Sequence, residues 1–233
     1  IFFPLFSKAT AEGDFEYIKR TINRYERFVY LFVMPLVILA TLYSGSLVNL
    51  LLGEGYAPAA PVMVLVAVAM LLSILNMPYD NLITGMGFFA LAARIHLTNL
   101  LFFSMLISIL PNPRLFNLGP AGAAWTILLS CVFIGLFVRL FASKKCPNLK
   151  VTRNLHFLAF GAVNFGVFNF LRVHTAARVG GFLGLIFVLV YLGVFYGALY
   201  ALGWIGKDDL KDLRQLFDVG RLVHYIRGEV SGK

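Results

Sequence analysis

The stretch GYAPAAPVMVLVAVAMLLSILNMPY, running from Gly55 to Tyr79, contains no charged residue. At about 1.5 Å per residue a helix of this length exceeds a hydrocarbon core of about 30 Å. Five further charge-free runs flank it: Phe28–Gly53, Ile95–Pro113, Leu115–Val138, Asn154–Leu171 and Val179–Gly206. Only helices and closed barrels satisfy their backbone hydrogen bonds in lipid, and runs this long exclude barrel strands. The pattern predicts an all-α fold, a polytopic transmembrane bundle of about six spans.

Composition agrees. The chain is 60% hydrophobic and 13% charged, with a mean hydropathy of +0.83, outside the range of soluble globular domains. The net charge of +9 raises the question of nucleic acid, but the placement of the charges answers it. If the six runs alternate in direction, 17 of the 20 Lys and Arg share one side, and only Arg114, Arg172 and Arg178 fall on the other. By the positive-inside rule both ends of this segment are then cytoplasmic, in a cytoplasmic membrane. The basic excess is a topological signal with a secondary attraction to anionic lipid, and nucleic acid is not an expected partner. Cys131 and Cys146 form no CxxC motif or disulfide framework and read as free thiols.

Five segments follow from this reading. Residues 1–27 comprise the end of a preceding span and a cytoplasmic amphipathic helix. Asp14 caps that helix, with Phe15, Ile18, Ile22, Tyr25 and Val29 on one face, expected to lie at the membrane surface. Residues 28–141 hold four spans, the first kinked by Pro35. Residues 142–153 form a basic cytoplasmic loop and 154–206 two extra spans. Residues 207–233, which hold five of the 11 acids, form an amphipathic cytoplasmic tail.

Several motifs occur in an order that resembles one family. Phe3-Pro4-Leu5-Phe6-Ser7-Lys8 with Gly13-Asp14 is similar to a Pro-x-x-Ser…Gly-Asp approach to a ninth span. Gly53-Glu54-Gly55-Tyr56-Ala57-Pro58-Ala59 is like an external Gly-x-x-Tyr-x-x-Ala turn, and Gly85-Met86-Gly87 opens the next span. Leu118-Gly119-Pro120-Ala121-Gly122-Ala123-Ala124 matches Leu-Gly-x-x-Gly-Ala-Ala before a span, and Asp208-Asp209-Leu210 with Tyr225–Glu229 resembles archaeal endings. Together they resemble the C-terminal half of a polysaccharide (O-antigen-type, lipid-linked oligosaccharide) flippase of the multidrug/oligosaccharidyl-lipid/polysaccharide exporter superfamily. The resemblance implies one lobe of a two-lobed, MATE-like exporter fold plus two extra C-terminal helices. It also implies a partner lobe, N-terminal in the same protein, that this segment lacks. Transport of a lipid-linked oligosaccharide by alternating access is the implied function, with membrane lipid and the glycolipid as partners.

Candidate residues follow from the cost of placing polar groups in a membrane. Asp80 lies near the inner end of the second run, and Arg94 and His96 open the third. A tight hairpin would join them, as a gate or coupling contact or as an interfacial anchor that only sets helix depth. Asn76, Asn99, Asn164 and Asn169, with Asn81, would present amides to sugar hydroxyls or serve as glue between helices. Arg172, His174 and Arg178 would meet an anionic group on the outer face. Two other classes compete. A cation-coupled multidrug exporter of the same fold requires a membrane-embedded carboxylate, for which Asp80 is the one candidate. An integral-membrane glycosyl- or acyltransferase would need a His–acid or paired-carboxylate constellation, and the external segments hold none. No catalytic residue, metal site or cofactor is expected, so the chain reads as a transporter and not an enzyme.

Overall fold

The computed structural model describes residues 2–146, 155–174 and 182–202, and among these all regular secondary structure is helical. The chain divides into two compact units, residues 1–180 and 181–233. The first opens with α1 (Phe2–Glu12) and α2 (Phe15–Phe28). Asp14 starts α2 as expected: its carboxylate accepts the Tyr17 N–H at 2.8 Å, with Glu16 in the first turn and Arg27 in the last complementing the helix dipole.

The helix axis continues from α2 through a π-helical turn, Val29–Val33, into α3 (Met34–Leu42). The Met34 N–H reaches back to the Val29 carbonyl. This one-residue slip falls just before Pro35, whose missing N–H interrupts the ordinary ladder. The path breaks at Tyr43, where the backbone leaves the helical region, and resumes as α4 (Ser44–Leu52). The first apolar run is therefore not one helix, and the membrane-length element is Phe15–Leu42.

A 3₁₀ turn, Glu54–Ala59, leads into α5 (Ala60–Gly85), followed by α6 (Phe89–Ile109) and α7 (Gly119–Lys145). Helix α7 runs through Lys145, four residues into the segment expected to be loop. Then comes α8 (Leu155–His174). The second unit is described through α9 (Phe182–Ala201), an apolar helix in which the Phe195 ring packs edge-on against Tyr196. Among the described residues, four helices are long and apolar enough to cross a membrane: Phe15–Leu42, Glu54–Gly85, Phe89–Ile109 and Gly119–Lys145. The tail, the basic loop beyond Cys146 and Arg178 lie outside what the structure describes, while Arg172 and His174 fall in the last turn of α8.

Helices α5 and α7 run parallel and close. The residues that α7 buries are mostly small (Gly122, Ala124, Thr126, Ser130, Gly135, Ala142), which lets the backbones approach without a hydrophobic driving force from lipid. Helix α6 returns antiparallel against α7, its Phe102 ring stacked on Phe133 at 4.6 Å. Gly87 makes the α5–α6 turn at φ 83°, a value open to glycine. Elsewhere the bundle leaves large apolar residues outward, among them Leu50, Leu97, Leu101 and Leu136.

The core sits at one end. It joins Phe6 and Ala9 of α1, Ile18 and Ile22 of α2, Leu82 and Ile83 of α5, Ile95 of α6, and Val138 and Ala142 of α7. Ile18 and Ile22 are wholly buried there. The amphipathic face of α2, expected at the membrane surface, is instead spent on the protein. Burying two isoleucines against neighbouring helices fixes α2 to the bundle more firmly than partitioning at an interface.

Candidate functional site

Helix α5 carries Pro78 within its length. A proline cannot donate to the carbonyl four residues back, so the Ile74 oxygen loses its helical partner. The Tyr25 hydroxyl of α2 donates to that oxygen at 3.2 Å. One residue on, the Leu75 carbonyl accepts from Arg139 Nη2 of α7 at 3.0 Å. Three helices thus converge on the turn that precedes Pro78.

Around it lies a buried charge cluster. Arg139 Nη1 is 3.2 Å from Glu26 Oε1, with side-chain exposures of 17% and 3%. The Tyr79 hydroxyl donates to the same oxygen at 2.8 Å, and the guanidinium stands 4.5 Å from the centre of the Tyr79 ring. Arg139 Nε donates to Asn76 Oδ1 at 3.2 Å, and Asn76 Nδ2 donates to the Cys131 carbonyl of α7 at 3.0 Å. Every guanidinium nitrogen is therefore committed to a partner. Gly135 makes room for the Asn76 amide: a Cβ there would lie 2.5 Å from its nitrogen.

The cluster is a neutral ion pair with satisfied hydrogen bonds, the condition under which a buried pair is tolerated. It presents no nucleophile–base arrangement. Among the described residues no three His, Cys, Asp or Glu side chains gather at metal-binding distance.

The expected residues fall in different places. Asp80 does meet His96, Oδ1 to Nε2 at 2.9 Å across the α5–α6 turn, with 36% and 49% of the side chains exposed. Arg94 is exposed and makes no ion pair with a described residue. Asn76 is interhelical glue within the cluster, as above. Asn81 and Asn164 donate within their own helices, to Met77 at 2.8 Å and Phe160 at 3.0 Å. Asn99 keeps its side-chain oxygen buried with no hydrogen-bond partner among the described residues, and Asn169 is half-buried on α8.

Glu26, Arg139 and Tyr79 are not among the candidates named from sequence, and Tyr25 enters there only as part of the apolar face of α2. The signal for Glu26 was its spacing, four and eight residues after Ile22 and Ile18, which places an acid on the buried stripe of α2. No family model matches the chain, and no curated protein or solved structure is detectably similar to it.

Proposed function

We propose that this chain is part of a membrane flippase that moves a lipid-linked oligosaccharide across the cytoplasmic membrane by alternating access. In this reading the four membrane-length helices build the C-terminal lobe of a two-lobed exporter, α8 and α9 are the two extra spans, and both ends are cytoplasmic. The observation that carries a transport role is the Glu26–Arg139 pair held on membrane-length helices beside Pro78. Ionisable groups in such helices are costly and mark moving or conducting parts of membrane proteins. The glycolipid class rests on the ordered sequence motifs. The test is reconstitution of the full-length protein in liposomes with a fluorescent lipid-linked oligosaccharide in the inner leaflet. Protein-dependent appearance of the label in the outer leaflet supports the reading; its absence, with folded protein, refutes it.

One observation favours the cation-coupled exporter as a second reading. That mechanism needs a buried carboxylate on a membrane-length helix, and Glu26 on Phe15–Leu42 is far better buried than Asp80. The same liposomes separate the two: export of an organic cation driven by an imposed ion gradient, without glycolipid movement, selects the exporter.

A further inference from the structure

We propose that α5 is hinged at Pro78 and that Tyr25 and Arg139 are the catches that hold the hinge. The argument is one of hydrogen-bond supply. A buried carbonyl without a donor is costly in lipid, where no water replaces the lost bond. Pro78 leaves Ile74 without its own, and Tyr25 supplies a substitute at 3.2 Å from a different helix. Arg139 adds a side-chain donor to the neighbouring Leu75 carbonyl at 3.0 Å, and Glu26 anchors that guanidinium at 3.2 Å.

Beyond the proline the limb is loosened again by its own side chains. Asn81 donates to the Met77 carbonyl, and Thr84 lies within reach of both the Asp80 and the Asn81 carbonyls. Side-chain bonds of this kind compete with the helical ladder and favour bending. The limb from Tyr79 to Gly85 carries Asp80, whose partner His96 lies two turns into α6, so the first half of α6 moves with it. Because Tyr25 and Arg139 come from α2 and α7, a change in either neighbour reaches α5 through these two bonds. The hinge does not depend on what is transported.

The test uses the full-length protein with its native cysteines, Cys131 and Cys146 among them, replaced by alanine and spin labels at Met70→Cys and Phe89→Cys. Both positions are exposed, one on each side of Pro78. Pulsed electron resonance reads the distance distribution. Tyr25→Phe removes one hydroxyl, and the population outside the main distance is expected to rise about 2- to 10-fold, the worth of one net hydrogen bond. Pro78→Ala returns a backbone N–H to Ile74, and in that background Tyr25→Phe is expected to change nothing. An unchanged distribution on Tyr25→Phe alone overturns the hinge, whether or not the Pro78→Ala protein accumulates. Equal broadening in both backgrounds also overturns it, since that is the mark of simple packing.

Discussion

Arg139→Met is the sharpest perturbation of the buried cluster. It removes the guanidinium from Glu26 and leaves a carboxylate 3% exposed with the Tyr79 hydroxyl as its remaining described donor from α5. Stranding one charge of a buried pair costs about 3–5 kcal/mol. Glu26→Leu strands Arg139 in the same way, although its bonds to Leu75 and Asn76 remain. The double variant strands no charge, so it is expected to lose far less than the sum of the singles. What remains is about 1 kcal/mol for each acceptor left without a donor. The assay is reversible unfolding of the full-length protein in mixed detergent micelles, run as a double-mutant cycle. A coupling of several kcal/mol is the expected result. Additive singles, each below about 1 kcal/mol, would show a solvated pair of the surface kind and refute the reasoning.

Four further outcomes follow. Asp80→Asn should shift stability by no more than about 1 kcal/mol, because its pair with His96 is one-third to one-half exposed; calorimetry of the variant checks this. Ile22→Ala should cost about 2–5 kcal/mol in the same unfolding assay, as a cavity inside protein does, whereas a helix merely resting on the membrane surface would show almost no loss. Gly135→Val forces the Asn76 amide aside and should destabilise by about 1–3 kcal/mol, read as a lowered melting temperature. For topology, an impermeant maleimide applied to intact cells should label Glu54→Cys and spare Lys144→Cys, both on exposed positions. Cys146 cannot serve as that probe. It is buried, and burial pushes its thiol up to about 11 from 9.0, so little thiolate exists at neutral pH. The same shift makes the fold lose stability as pH rises from 9 toward 11, because the unfolded chain gives up that proton first.

Much of this architecture is legible in the residues themselves. Charge-free runs mark the long helices, Asp14 marks a helix start, and Pro35 marks an irregular turn, because each depends on local chemistry. The α5–α6 turn at Gly87 likewise announces the contact between Asp80 and His96. The buried cluster is not local. Arg139 sits near the end of a span among Lys144 and Lys145, where a cation normally reports only topology. Glu26 is framed by Arg24 and Arg27, which makes it look like one more solvated group on a charged helix. Their meeting is set by how α2 and α7 pack on α5, and no spacing along the chain encodes it. Pro78 is visible in the sequence, but the group that serves the Ile74 carbonyl it releases is not.

The central claim, that the Glu26–Arg139 cluster belongs to the moving parts of a glycolipid transporter, is tested most directly by one rate. Full-length protein carrying Glu26→Gln and Arg139→Gln together keeps hydrogen-bonding groups at both positions and strands no charge. In liposomes its initial rate of lipid-linked oligosaccharide translocation is compared with that of the unaltered protein at equal amounts of folded material. The account predicts a loss of at least about tenfold, equivalent to 1.4 kcal/mol on the barrier. Translocation at the unaltered rate would contradict it and reduce the cluster to a staple between helices.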